Sequence, residues 1–90
     1  MYAAVVHANV PGGANAEHVK QLNEEVIPMV SSAPGFVAGY WLDPVDDKGL
    51  ALVLFDDEAS AKAAAPPAGA DMGHGVTIES VEFRDVTGHA

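Results

Sequence analysis

Three segments predicted as β-strands carry apolar side chains at both alternating positions, and this pattern constrains the fold more than any other feature. The segments are residues 2–10, 36–43 and 50–55. Because neighbouring residues of a strand point to opposite faces, both faces of the resulting sheet are apolar. Two predicted helices can cover only one of these faces. We therefore expect a partner on the other face, and a second copy of the chain is the simplest cover.

The first strand is followed by an amphipathic helix. Pro11-Gly12-Gly13 ends the strand, and Asn15 is a typical N-cap for a segment whose apolar residues recur at helical spacing. Gln21 falls on the polar side of this helix, so it is expected to face water. Pro28 has no N–H to donate, which predicts an irregular last turn.

The middle of the chain is predicted as a β-hairpin followed by a short second helix. Residues 46–49 have the composition of a turn, and Gly49 is expected to supply a positive φ there. The two strands that this turn joins are expected to be antiparallel neighbours. Asp56 or Asp57 is expected to cap the helix, which is predicted over residues 58–65.

The last part of the chain is predicted as a loop, residues 68–75, and a final strand, residues 76–86. The apolar residues of this strand change phase near Glu79-Ser80, which indicates a β-bulge or a strand that leaves the sheet. The resulting order is β-α-β-β-α-β. It predicts a single α+β domain, residues 1–90, with a ferredoxin-like fold and a four-stranded antiparallel sheet.

Composition and charge narrow the classes of partner and compartment. There is no Cys, so the chain has no disulfide and no thiolate metal site. Thirteen acidic residues against four basic ones give a formal net charge of −9, which disfavours nucleic acid and anionic membranes. The first ten residues lack the basic region of a signal peptide, and no apolar run is long enough to span a membrane. A cytoplasmic protein is expected.

Three stretches carry a resemblance to a known group of proteins. They are Ala33-Pro34-Gly35-Phe36, Gly39-Tyr40-Trp41 and residues 52–61, which lead from the third strand into the second helix. With the element order, they resemble the dimeric α+β barrel superfamily that includes the antibiotic-biosynthesis monooxygenases. The resemblance implies that two sheets pack face to face and that each protomer has a small apolar cavity between sheet and helices.

The resemblance also implies a range of activities, from cofactor-free oxygenation of aromatic substrates to haem degradation and small isomerase or lyase reactions. Haem-degrading members use an Asn on the first strand, a Trp on the third and a His on the second helix. Asn9 matches the first position, but Phe55 stands at the second and residues 58–65 contain no His. Haem chemistry is therefore disfavoured, and no cofactor is expected.

Two polar residues on the first strand and two aromatic residues on the second are candidate site residues. His7 and Asn9 share one face of an apolar strand, so they either line a pocket or lie at a wet rim. Tyr40 and Trp41 point to opposite faces, so at most one of them lines a given cavity. Trp41 is the favoured candidate for an interface or the mouth of the pocket.

His74 is the candidate in the loop before the last strand. The flanking Gly73 and Gly75 would let this loop act as a lid, and Asp71 is near enough in sequence to pair with the imidazole. The alternative is an exposed His without a function. The four His residues lack the spacing of a metal site, and there is no nucleophile elbow or phosphate-binding loop.

Two functional hypotheses remain open. In the first, the protein is a cofactor-free monooxygenase-like enzyme: His7 or His74 moves a proton, and Asn9, Tyr40 or Trp41 orients a small hydrophobic substrate that reacts with O₂. In the second, it is a non-catalytic homodimer that binds a small hydrophobic ligand or a protein partner. Convergence of His7 and Asn9 on a closed cavity favours catalysis, whereas a wet or locally satisfied position favours binding.

Overall fold

A five-stranded antiparallel sheet with helices on one face forms the α+β fold in the computed structural model, which describes residues 1–90. The sheet order is β2-β3-β1-β5-β4, which is consistent with a ferredoxin-like arrangement. No helix is long and apolar enough to cross a membrane. The elements along the chain are β1 (Tyr2–Asn9), α1 (Ala16–Gln21), a π-helical turn (Leu22–Val26), α2 (Ile27–Ser31), β2 (Phe36–Val45), β3 (Lys48–Phe55), α3 (Glu58–Ala64), β4 (Asp71–Gly73) and β5 (Val76–Asp85).

The predicted number of four strands is wrong, because β4 forms within the predicted loop. Asp71 pairs with Thr77 and Gly73 with Val76, so β4 and β5 make a tight hairpin at the edge of the sheet. The chain reverses through Gly73, His74 and Gly75, which all have positive φ. A three-residue strand that ends in Gly shows no alternating apolar pattern, so the sequence carries no signal for it.

The first helical segment confirms the predicted N-cap, but its irregular turn lies before Pro28 rather than in the last turn, which is α-helical. The Asn15 side chain accepts a hydrogen bond from the backbone N–H of His18 at 2.9 Å and caps α1. Irregularity appears just before Pro28 as the π-helical turn, in which the N–H of Ile27 bonds to the carbonyl of Leu22. Because proline supplies no N–H and its ring crowds the preceding turn, the wider turn accommodates it.

The β2–β3 hairpin and the capping of α3 are present where the sequence predicts them. Asp57 accepts a hydrogen bond from the N–H of Ser60 at 2.8 Å and caps α3. In the hairpin turn, the positive φ values belong to Asp46 and Asp47, at 51° and 61°, and the expectation for Gly49 is wrong. Two consecutive positive φ values match the right-handed twist of the flanking strands, and here Asp occupies both positions. Gly49 is instead buried within β3.

The predicted β-bulge is present in β5. His7 pairs with Ser80 and the next residue, Ala8, pairs with Ile78, which leaves Glu79 without a partner on β1. The extra residue restores the phase, so Ile78 and Val81 face the helices together. The bulge therefore lets both halves of β5 contribute apolar side chains to one core.

The core lies between the sheet and the helices, and it is small. Only eight of the 90 residues are buried. The central cluster consists of Ala4, Val53, Phe55 and Ala61, and the Phe36 ring packs edge-on against Phe55 with centroids 6.2 Å apart.

The opposite side of the sheet, here called the open face, carries Val5, Tyr40, Leu52 and Leu54. Val5 and Tyr40 both pair with Leu52, so these side chains are neighbours. Tyr40 is 56% exposed, and no element of the chain lies over it. The sequence-based expectation of a second apolar face is therefore met in the single chain.

Candidate binding cavity

A cavity of about 350 Å³ lies between the helix-covered side of the sheet and the first helical segment. Of its 19 lining residues, 14 are hydrophobic. Its volume is at the lower end of the range for small-molecule sites, roughly 300–1,000 Å³. The principal contributors are Val6 and Ala8 from β1 and Val10 just after it, His18, Gln21, Leu22 and Val26 from the helical segment, Trp41 and Asp43 from β2, Gly49 and Ala51 from β3, and Met72, Val76 and Ile78 from the β4–β5 hairpin.

Small residues on the sheet make the space. Ala8, Gly49 and Ala51 form the floor, where larger side chains would occupy the volume. A Cβ atom at Gly49 would stand 2.9 Å from Cγ2 of Val10, which is closer than side chains pack. No ionisable side chain belongs to this floor, so it offers a ligand apolar contact and nothing to transfer a proton.

Trp41 forms one wall, and the structure places it on the cavity side of β2. Its indole also packs against the core cluster that contains Phe55. Tyr40, the neighbouring residue, lies on the open face and does not reach the cavity. Of the two aromatic candidates on β2, only Trp41 is therefore in a position to contact a ligand there.

The mouth of the cavity is where its polar groups collect. The His18 ring lies between two backbone carbonyls, with Nδ1 2.7 Å from the oxygen of Gly13 and Nε2 3.1 Å from that of His74. Gln21 donates from Nε2 to the carbonyl of Met72 at 2.6 Å. The mouth is thus closed on one side by hydrogen bonds between α1 and the β4–β5 hairpin.

These contacts favour the charged form of His18. The hydrogen bond to the Gly13 carbonyl raises the pKa of His18 most, the bond to the His74 carbonyl adds to it, and partial burial opposes both. Glu17, the preceding residue, raises the pKa of His18 slightly further through its negative charge. The imidazole is therefore held as a donor at the mouth and is poorly suited to accept a proton from a ligand.

The structure places His7 and Asn9 on the other side of the sheet, away from this cavity. The His7 Nε2 atom lies 3.3 Å from Oε2 of Glu82, and the pair is partly exposed. Asn9 accepts a hydrogen bond from Nζ of Lys48 at 2.5 Å, and the same ammonium binds Glu79. Both residues are therefore satisfied locally at the polar edge of the open face.

His74 lies at the tip of the β4–β5 hairpin and does not line the cavity. Its Nδ1 atom is 2.8 Å from Oε1 of Glu17 on α1. Asp71, considered as its partner from the sequence, instead accepts a hydrogen bond from the N–H of Gly73 at 2.8 Å. The hairpin thus brings His74 to α1, beside His18, rather than to an acid–base pair with Asp71.

Two residues at the mouth were not anticipated as site residues. Gln21, expected to face water, points to the hairpin, and His18 enters the sequence analysis only as one of the four His residues that lack the spacing of a metal site. Their spacing of three residues places them on one side of α1, next to the apolar stripe, which is the only signal that the sequence offers. No three His, Asp or Glu side chains are close enough together to hold a metal ion.

Comparison with known proteins gives no family for this chain. No protein-family model matches it, and neither a curated protein nor a solved structure shows significant similarity to it. The resemblance to dimeric α+β barrels therefore stays a prediction, and any function must be argued from the cavity and the open face.

Proposed function

We propose that the chain forms a homodimeric α+β barrel of the antibiotic-biosynthesis-monooxygenase-like type and binds a small hydrophobic ligand in the cavity of each protomer. One observation carries the proposal: the cavity is formed mainly by apolar side chains and its floor has no ionisable group. Burial of apolar surface stabilises a bound ligand by about 25 cal/mol per Å². Such a site therefore gains affinity from the shape and apolar surface of its ligand.

The ligand that suits this site is uncharged. The chain has a net charge of −9, and Asp43 lies at the rim of the cavity, so an anionic ligand is repelled as it approaches. A cationic ligand would lose its hydration in an apolar floor with no partner for its charge. A neutral, partly aromatic compound is neither repelled by the negative charge nor deprived of ionic hydration, and its ring can pack against Trp41.

Binding is favoured over catalysis because of where the imidazoles lie. The monooxygenase-like hypothesis needs a base beside the substrate, and His7 and His74 are both outside the cavity lining. His18 is the only imidazole in that lining, and both of its ring nitrogens face carbonyl oxygens. Oxygenation of a substrate by O₂ would thus have to proceed without a free imidazole beside the substrate.

The open face supports the homodimer. It presents Val5, Tyr40, Leu52 and Leu54 to solvent in the single chain, whose small core leaves little other burial. A stable interface buries about 800 Å² on each partner, against 5353 Å² of accessible surface for this chain. The ion pairs of His7 and Lys48 lie beside the apolar residues, as the polar rim of an interface does.

Uptake of a neutral fluorescent probe, N-phenyl-1-naphthylamine, tests the binding function. The native protein should bind it with enhanced fluorescence, and Ala8→Leu, which fills the floor, should weaken binding by about tenfold or more. Ala63→Leu adds the same atoms on the exposed side of α3 and serves as the matched control. Failure of the native protein to bind the probe, or equal binding by both variants, would contradict the proposed site.

A further inference from the structure

The His18 ring makes a pair of contacts that only one protonation state can satisfy. Its Nδ1 atom is 2.7 Å from the carbonyl oxygen of Gly13, and its Nε2 atom is 3.1 Å from that of His74. A carbonyl oxygen accepts hydrogen bonds and never donates them, so each ring nitrogen must carry a proton. Neutral imidazole has one N–H and the imidazolium has two. Both contacts are therefore hydrogen bonds only when His18 is charged.

The second of these contacts joins α1 to the β4–β5 hairpin, which forms part of the cavity wall. The β4–β5 hairpin contributes Met72 and Val76 to the lining and is joined to α1 through three side chains. Besides the His18 contact, Gln21 binds the carbonyl of Met72 at 2.6 Å, and His74 pairs with Glu17 at 2.8 Å. Of the three links, only that of His18 requires a ring with an N–H on both nitrogens, because only His18 faces a carbonyl oxygen at each of them.

The hairpin has few other attachments in this region. β4 has only three residues and pairs with β5 alone, at the edge of the sheet. Its turn is made of Gly73, His74 and Gly75, all with positive φ. A short edge strand with little buried side-chain area opens at low free-energy cost. The links to α1 therefore contribute much of what holds it against the helix.

The ionisable groups around His18 are few. Its own helix carries Glu17 and Lys20, and β4 with the turn that follows it carries Asp71 and His74. The loop that presents the Gly13 carbonyl, residues 10–15, has no ionisable side chain, and β2 contributes Asp43 across the cavity. The nearest unlike charge is Glu17, which favours the protonated form of His18 and whose carboxylate also lies against the His74 ring.

We propose that His18 is a proton-dependent latch that holds the β4–β5 hairpin over the mouth of the cavity and releases it when the ring becomes neutral. The role of the latch in ligand exchange rests on the proposed function, because it requires that a ligand pass through this mouth. The neutral ring keeps one N–H. It retains the shorter bond to Gly13, and its bare Nε2 lone pair then faces the carbonyl oxygen of His74, which pushes the hairpin away.

The direction of the pH dependence follows from the hydrogen bonds. They raise the pKa of His18 above its ordinary value of 6.5 in the folded chain, so the latch is fully made below that value. Its contribution is lost as the pH rises through the higher pKa of the folded state. Ligand exchange should therefore be slow in mildly acidic solution and fast in mildly basic solution.

The first test needs neither a ligand nor a variant. NMR of the native protein should show His18 protonated on both nitrogens at about pH 5.5 and on Nδ1 alone at about pH 8.5. Amide exchange of residues 71–76, corrected for the intrinsic effect of pH, should be about tenfold faster at the higher pH, as expected for one lost charged hydrogen bond. Titration of His18 with unchanged exchange of the hairpin would overturn the latch.

Variants assign the effect to His18. In His18→Gln the pH dependence of hairpin exchange should disappear, whereas His89→Gln, in the C-terminal segment, should leave it as in the native protein. His74→Gln removes the pair with Glu17 but keeps the backbone carbonyl that His18 binds, so most of the dependence should survive. If His74→Gln abolishes it and His18→Gln does not, the latch is wrongly assigned.

The second test uses the neutral probe N-phenyl-1-naphthylamine and separates the latch from the binding function. Stopped-flow dissociation should be about tenfold faster at about pH 8.5 than at about pH 5.5 in the native protein, and independent of pH in His18→Gln. A probe that binds with pH-independent dissociation overturns the latch and leaves the binding function standing. If the hairpin opens with rising pH but the protein takes up no probe, the latch stands and the binding function is overturned.

Discussion

The indole of Trp41 lies directly against Gly39: a Cβ atom built on Gly39 would stand 2.7 Å from both Cη2 and Cζ3 of the ring. The two residues are on the same strand and the same side of the sheet, because both pair with inward-facing residues of β3. The absence of a side chain at position 39 thus sets the place of the ring that forms one wall of the cavity.

Gly39→Ala should therefore destabilise the protein and displace the indole. Alanine in a strand is ordinarily better than glycine by about 0.5–1 kcal/mol, but an overpacked contact costs about 1–3 kcal/mol, so the clash should dominate. Urea unfolding measures the change, and the fluorescence of the single Trp reports the movement of the ring. Gly88→Ala has no atom within 4 Å of the new Cβ and should change neither quantity. An unchanged emission spectrum in Gly39→Ala would contradict the packing described.

Leu52→Asp should disrupt the proposed dimer. Leu52 lies at the centre of the open face, opposite both Val5 and Tyr40, so a charge there would be buried without a partner in the interface. We expect weakening by about 2 kcal/mol or more, roughly thirtyfold in Kd. Light scattering over a dilution series measures it.

Met29→Asp is the matched control for the dimer, because Met29 is 60% exposed on α2, away from the open face. It should leave the mass at twice that of the chain. A native protein that remains monomeric at every concentration would remove both the dimer and the barrel.

The capping of α3 by Asp57 should make stability depend on acid pH. The N–H of Ser60 lowers the pKa of Asp57 below its ordinary value of 3.8, because the hydrogen bond favours the carboxylate. Its contribution is present above that value and is lost as the pH falls through the lower pKa of the folded state. Asp57→Asn should flatten this part of the stability–pH profile, whereas Asp56→Asn should retain it. Parallel profiles for native protein and Asp57→Asn would count against the cap.

Asp47→Gly should stabilise the β2–β3 hairpin. Asp47 has a φ of 61° and follows Asp46 at 51°, so the change creates an Asp-Gly pair in a turn that favours it. We expect a gain of about 0.5–1 kcal/mol in the free energy of unfolding, measured in urea. Asp43→Gly makes the same chemical change within β2 and should destabilise by a similar amount. Destabilisation by both variants would mean that the turn is not of this type.

Local rules explain which parts of the fold could be predicted. The caps at Asn15 and Asp57 and the irregular helix before Pro28 depend on residues close in sequence, and each is present. The bulge at Glu79 was also visible, because a change of phase in an apolar strand has few other causes. The short strand β4 had no such local signal, since its pairing depends on β5 and a glycine-rich turn.

In the candidate site, too, some features follow from local rules and others depend on tertiary packing. The alternation of strand residues by itself determined that Tyr40 and Trp41 face opposite ways, that His7 and Asn9 face the same way, and that both faces of the sheet are apolar. Alternation does not say which face the helices cover. That depends on the packing of the whole chain, and it decided that Trp41 lines the cavity while His7 and Asn9 lie at the polar edge of the open face. Only the tertiary structure could bring His18 to the carbonyl of His74, 56 residues away, because long-range contacts leave no spacing in the sequence to recognise them by.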